Sequence, residues 1–396
     1  MPAVSLTVCR SYGIIMDGDG NQMLRFLTAG ESHGPFLVAT LEGMPAGVPI
    51  DSALIQREMR RRQLGYGRGP RMQFETDTVE LLSGIRRGKT LGSPIALVIK
   101  NKDASIDRLP VVTQPRPGHA DLTGAIKYDH RDIRNVLERA SARETAARVA
   151  IGALCKQLLS QLDIELASHV IALGSVRATP SHVTVTRLRA KADPTPLRCV
   201  DPAATKKMIQ LIDTAMKAGD TLGGVFEVLT EGVPPGLGSY VHYDRRLDAI
   251  LGWAVLSIHA VKAVEVGDGV LGASLPGSKV QDEIFYTKEK GFHRSSNRSG
   301  GFEGGMTTGQ PIIVRGFLKP LSTLRKPLRS VEINTKRSMV ATVERTDVTT
   351  VPAAGIIGEA MMAFELAKAV LQKFGGDSLR ELKRNYAGYL KQVQRF

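Results

Sequence analysis

Two histidines stand in short loops of glycine, proline and polar residues: His33 in AGESHG (29–34) and His119 in RPGHAD (116–121), with Asp121 two residues on. Imidazole titrates near neutrality, so both are natural proton donors and acceptors. A loop histidine can equally do no more than satisfy nearby backbone groups. Arg60, Arg61, Arg62, Arg68 and Arg71 crowd around Gly65, Gly67 and Gly69. The guanidinium fork suits phosphate and carboxylate. Arg60 and Arg61 also fit a plain solvated helix face, whereas Arg68, set among glycines, fits one poorly. The stretch SSNRSGGFEGGMTTG (295–309) offers hydroxyls, an amide, Arg298 and five glycines, and KPLST (319–323) and ERTD (344–347) add Lys319, Arg345 and Asp347. Together these residues point to an enzyme for an anionic substrate with a phosphate-bearing cofactor, and alone they go no further.

Two phosphate motifs are excluded. SGIRRGKT (83–90) lacks the first glycine of a P-loop and leads through Gly92 and Pro94 into a strand-like run, where a P-loop needs a helix. No GxGxxG follows a strand and opens a helix, so a Rossmann site is unsupported. Cys9, Cys155 and Cys199 are far apart and form no CxxC pair, which excludes a disulfide framework and an ordinary cysteine metal site. They read as reduced thiols of a cytoplasmic protein, with no metal.

The 396 residues carry a formal net charge of +14, which attracts anions. The basic residues are spread along the chain without a Lys/Arg tail, and aromatic residues are only 5%, too few for base-stacking platforms. Acidic small molecules are therefore favoured over nucleic acid. No apolar run approaches the ~18 residues of a membrane span, and the N-terminus lacks the pattern of a secretory signal.

The elements that must position these residues follow from periodicity and caps. Strands are expected at 24–28, 36–43, 72–82, 94–100, 164–173 and 223–231. Asp51 caps a helix over 52–63; 133–162 is helix-like, with an S-x-x-E pair at Ser141 and Glu144 that could start it late. Further helices are expected at 203–217, 247–264 and 351–374, the last stopped by Gly375, and Ser378 with Glu381 opens a final one. Strands and helices mix without βαβ alternation, which predicts an α+β fold with antiparallel sheets.

Read in order, AGESHG, RRRQLGYGRGPRM, RPGHAD, ERASARETAARVA, GDTLGG, NRSGGFEGGMTTGQP, KPLST, RTDV, VPAAG and KFGGDSL resemble the chorismate synthases, from Met23 to about Tyr389. The resemblance implies one α+β domain over 23–396, two antiparallel sheets packed between helices, assembled as a homotetramer. Residues 1–22 have no counterpart in the family and are expected to be a disordered tail or a start-site artefact. It implies a carbon–oxygen lyase: an anti-1,4-elimination of phosphate from 5-enolpyruvylshikimate 3-phosphate giving chorismate, the last common step of the shikimate pathway. Reduced FMN is required although there is no net redox change, and NADPH is the candidate reductant. By resemblance, His33 is the acid beside the departing phosphate, His119 protonates the reduced flavin, and Asp347 lies near flavin N5. Cofactor contacts carry over to Arg139, Ala140 and Ser141, to His259 and Ala260, to Gly304, to Lys319, Pro320, Leu321, Ser322 and Thr323, and to Arg345. Arg62 and Arg68 fall where the family contacts NADP, though their chemistry suits the substrate's anionic groups better. His259 stands where many members carry Gln, which puts a titratable group beside the flavin; the plainer reading is a single hydrogen-bonding contact. Two rival readings are a basic nucleic-acid-binding protein and a flavin-dependent lyase of another phosphorylated cyclic acid.

Overall fold

The structure, a computed structural model, describes residues 24–69, 75–180, 183–344 and 347–396. The expected tail over 1–22, and Arg71 and Arg345, lie outside the described residues. In chain order the principal elements are β1 (Arg25–Ala29), β2 (Phe36–Glu42), α1 (Ser52–Gln63), β3 (Val79–Leu81), β4 (Ile95–Lys100), α2 (Asp121–Tyr128), α3 (Thr145–Ser160), β5 (Glu165–Leu173), β6 (Val176–Arg177), α4 (Val185–Ala192), α5 (Pro202–Ala218), β7 (Gly224–Glu231), α6 (Leu247–Leu256), β8 (Val261–Val266), β9 (Ile312–Leu318), α7 (Val351–Phe374) and α8 (Leu379–Arg395).

Among the described residues two antiparallel sheets have more than two strands, with strand orders β1-β2-β4-β3 and β8-β9-β7-β5-β6. The α+β fold is therefore as expected. Its layering is sheet, helices, sheet: α3 and α7 lie between the two sheets, and α4 packs on the outer face of the second. The physical reason is in α7. Every residue from Val351 to Ala367 is buried, so this helix has no polar side to offer water and must be covered all round. One core cluster runs from Leu24 and Leu41 through Ile151 and Leu154 to Val228 and Val314.

Caps hold the element ends. Asp51 accepts from Ala53 N at 2.8 Å and starts α1 where the sequence places it. The helix-like stretch 133–162 is broken: a single turn at Arg134–Leu137, then a 3-10 turn at Ala142–Glu144 capped by Ser141, then α3. The expected helix over 247–264 is corrected too. It stops at Leu256; Ala260 takes φ +67°, and the chain continues as β8 against β9. The segment that looked like a P-loop is a tight hairpin, Ile85–Arg86 against Lys89–Thr90. Among the described residues, no helix is long and apolar enough to cross a membrane.

Candidate active site

His33 sits in the turn between β1 and β2. Its main-chain N donates to Glu138 Oε2 at 2.8 Å, and its Nδ1 lies 2.9 and 3.0 Å from the two oxygens of the same carboxylate. Glu138 also accepts from Arg134 Nη1 at 3.1 Å. Burial pushes the Glu138 carboxyl up, but the His33 and Arg134 hydrogen bonds prevail and hold it below its ordinary value. On the far side of the ring, Nε2 is 3.8 Å from Asp103.

His119 precedes α2, and Asp121 is that helix's first residue. His119 Nδ1 is 2.5 Å from Asp121 Oδ1, while Arg116 donates to the same carboxylate from Nε at 2.8 Å and from its main chain at 3.0 Å. Burial again opposes ionisation, and again the histidine and arginine hydrogen bonds win: the Asp121 carboxyl is held well below the usual range. Gly118 takes φ +77°, and a Cβ there would come within 3.0 Å of Lys319 Nζ, which donates to Gly118 O at 2.6 Å. Glycine is thus what lets the His119 loop lie against 319–323.

Both histidines line one cavity of about 540 Å³. Its wall brings together most of the predicted positions: Arg62, Arg68, Ala140, Ser141, His259, Ala260, Lys319 to Thr323, and Asp347. Among the described residues, five cationic side chains (Arg62, Arg68, Arg116, Arg143, Lys319) face it against two carboxylates, Glu344 and Asp347. The N-terminus of α7 adds to this bias, since Thr350, Ala353 and Ala354 lie in the wall and the helix end carries partial positive charge.

The cations are not equivalent. Arg62 is buried and all three guanidinium nitrogens already donate, to Asp77, Thr145 and Ala142 O. Burial, only partly offset by Asp77, pulls its pKa down to about 10. Arg143 is held by Asp77 and Asn101. Arg68 differs: Nη1 pairs with Asp347 Oδ2 at 3.1 Å, but its buried Nε has no partner among the described residues. Asp347 Oδ1 also accepts from Gly69 N at 2.5 Å, which ties the arginine-rich loop to this carboxylate. His259 Nδ1 is likewise buried and unpartnered. Such orphaned donors and acceptors are costly unless something else completes them. The arrangement can bind a polyanion and hold it beside two anchored imidazoles.

A family model described as "Chorismate synthase" matches residues 24–371. The chain belongs to the chorismate synthase family. It is 55% identical over 390 residues to the chorismate synthase of Symbiobacterium thermophilum, covering 94% of this chain and 100% of that one. It is 53% identical over 388 residues to the chorismate synthase of Enterococcus faecalis, again covering 94% and 100%. A crystal structure of a chorismate synthase superposes with a TM-score of 0.79 at 43% identity, over 95% of this chain and 100% of that chain. The chain is therefore an enzyme of the chorismate synthase class, a lyase.

Not every position expected from the family reaches the cavity. Arg139 is exposed and donates to Gly30 O, Thr28 O and Thr28 Oγ1, bracing β1 and the His33 turn from outside. Gly304 lies in the turn of the hairpin Phe302–Glu303 and Met306–Thr307, where a side chain built on it would meet Tyr240. The ligand-like loop 295–309 is tied down by a carboxylate from outside it: Asp282 accepts from Ser296 Oγ, Arg298 N and Ser299 N. Conversely, Glu138, Arg134, Arg143 and Asp77 were not singled out from the sequence. Glu138 is 105 residues from His33, and no local pattern announces such a pair.

Proposed function

We propose that the chain eliminates phosphate from 5-enolpyruvylshikimate 3-phosphate in an anti-1,4 sense, giving chorismate, with reduced FMN bound and no net redox change. On this reading it is the last common step of the shikimate pathway. The observation that carries the reading is convergence: both histidines, Asp347, His259 and the segment 319–323, scattered over 300 residues of sequence, meet on one cationic cavity.

The cavity fits the implied cofactor. Its ~540 Å³ lies in the range of ligand sites, about 300–1,000 Å³. Leu137, Ile258, Leu321 and Ile357 give it apolar wall for a flat ring, and the orphaned His259 Nδ1 and Arg68 Nε give unmatched polar atoms for a ligand. When bound, an electron-rich reduced flavin lends density that helps expel phosphate and recovers it as the proton leaves. Lys319 to Thr323, His259 and Ala260 hold that cofactor. Arg68 and the α7 N-terminus bind the substrate's anionic groups, whereas Arg62, with every nitrogen engaged, serves as scaffold. His33 donates a proton to the departing phosphate from Nε2, because Nδ1 is taken by Glu138. His119 supplies a proton to the reduced flavin, and Asp347 supports removal of the substrate proton. We further read residues 23–396 as one domain, on the strength of the single core joining both sheets, and the active assembly as a homotetramer.

The test is anaerobic: protein, substrate and chemically reduced FMN, with chorismate followed by absorbance. Turnover that vanishes with oxidised FMN is expected. His33→Ala and His119→Ala are each expected to lower turnover by about 10²–10⁴-fold, the usual contribution of general acid–base groups. A variant within a few fold of wild type would remove that histidine from its role, and neither turnover nor flavin binding by the wild type would end the proposal.

A further inference from the structure

The two histidines are gripped by the same three-part arrangement, assembled from unrelated stretches of chain. Arg134 holds Glu138, which takes His33 Nδ1; Arg116 holds Asp121, which takes His119 Nδ1. All four gripping residues are buried. We propose that Glu138 and Asp121 are positioning residues that each accept the Nδ1 proton of their histidine, so that Nε2 of both rings is the nitrogen that exchanges protons with a ligand in the cavity.

The hydrogen-bond inventory supports this. Arginine has donors and no acceptor, and an ionised carboxylate has acceptors and no donor. Each carboxylate is therefore kept ionised by its arginine, so its contact with the imidazole needs the ring hydrogen; at His119 Arg116 Nη2 also lies 3.2 Å from Nδ1, and the shorter 2.5 Å contact with Asp121 decides between them. The ring nitrogen that carries that hydrogen is then fixed. The two grips also fix the main chain: Glu138 accepts the His33 backbone N–H, and Asp121 accepts the Arg116 backbone N–H while standing at the first position of α2, where a negative charge is favoured. Each arginine reaches one step further into the cavity wall. Arg116 Nη1 donates to Thr323 Oγ1 at 2.9 Å, and Arg134 Nη2 lies 3.4 Å from Glu344 Oε1. The orientation of His119 is thereby tied to segment 319–323, and that of His33 to the segment leading to Asp347. The depressed carboxyls of Glu138 and Asp121 agree with permanent ionisation. The use of the device in turnover rests on the elimination reading above, whereas the tautomer and its cause do not.

The test is solid-state ¹⁵N NMR of the full-length protein labelled at histidine, with His33 and His119 assigned by the signals lost in His33→Gln and His119→Gln. The neutral rings of both are expected as Nδ1–H tautomers. An Nε2–H tautomer for either ring in the wild-type protein overturns the assignment for that ring, whether or not any variant folds. In Glu138→Gln the ¹⁵N resonance of His33 Nδ1 is expected to move, with that of His119 unchanged; Asp121→Asn is expected to do the reverse. An Nδ1 resonance unmoved by loss of its carboxylate would mean that the carboxylate does not accept that proton, which would also overturn the proposal for that ring. In the anaerobic assay, Glu138→Gln is expected to lower kcat more than it raises KM, with partial rescue by Glu138→Asp. Tautomers as expected in a protein that turns over nothing would sink the elimination reading and leave the positioning intact.

Discussion

At His259 a half-buried ring lines the cavity, with its buried Nδ1 unpartnered among the described residues. Burial is the largest influence and lowers its pKa from near 6.5 to about 4; Glu144 opposes this, while Arg148, His119 and Arg62 reinforce it. The unfolded chain therefore binds a proton at this position, between those pH values, that the folded chain refuses. The neutral ring costs the fold nothing above pH 6.5; stability then falls as pH drops toward 4 and levels off below it. A shift of this size corresponds to something on the order of 3 kcal/mol. His259→Gln, whose amide does not titrate, is expected to show a flatter stability profile across that interval. Urea midpoints of both proteins at pH 7 and pH 4.5 measure the difference; equal slopes would mean that the folded protein does not keep this imidazole neutral. This residue also shows what a sequence conceals. His33 and His119 could be singled out because their loops are locally odd, dense in glycine and proline. Their carboxylates could not all be: Asp121 is two residues from His119, but Glu138 meets His33 only because β1, β2 and the turn after Arg134–Leu137 are folded together.

Elements were legible where their ends are marked by local chemistry. Asp51 and Gly375 bracket α1 and α7 at the expected residues, and Ser378 accepts from Glu381 N at the start of α8. Legibility failed where a long-range partner decides the conformation. The run 257–264 continues the apolar character of α6 without Gly or Pro, yet β9 captures it as β8, and β9 itself was not expected as a strand. Helix crossing is equally invisible from sequence. A Cβ on Gly152 of α3 would lie 2.3 Å from Ala360 Cβ and 2.8 Å from Ala360 O on α7, so the two helices touch through this glycine. Gly388 on α8 has nothing within 4 Å of the same built atom. The same substitution should therefore have opposite signs. Gly388→Ala is expected to stabilise by about 1 kcal/mol through helix propensity. Gly152→Ala must push backbone apart and is expected to destabilise by roughly 1–3 kcal/mol despite that gain. Denaturant titrations of the two variants decide it, and two stabilised proteins would show that the α3–α7 contact has slack.

Among the described residues of the whole molecule, one sheet face exposes apolar side chains. On β1 and β2 the outward residues Leu27, Phe36 and Val38 are 78%, 43% and 37% exposed, and Val38 pairs across the sheet with Ala29 on one side and Val98 on the other. Strands apolar on both faces are ordinarily covered on both, and a contiguous exposed patch of this kind marks an interaction surface. The proposed homotetramer would cover it with another copy. Charge works against that association, since each chain carries a net +14 and like charges repel over about 10 Å at 0.1 M salt. The balance gives a directional expectation: added salt screens the repulsion while leaving the apolar contact in place, so assembly should tighten as salt rises. Replacing the patch with like charges should do the opposite. Leu27→Glu with Val38→Glu is expected to lower the mass seen by light scattering while the far-ultraviolet circular dichroism stays that of the wild type, because both side chains point away from the core. An unchanged mass would place the subunit contacts elsewhere on the surface, and a wild-type protein that is monomeric at every salt concentration would remove the tetramer.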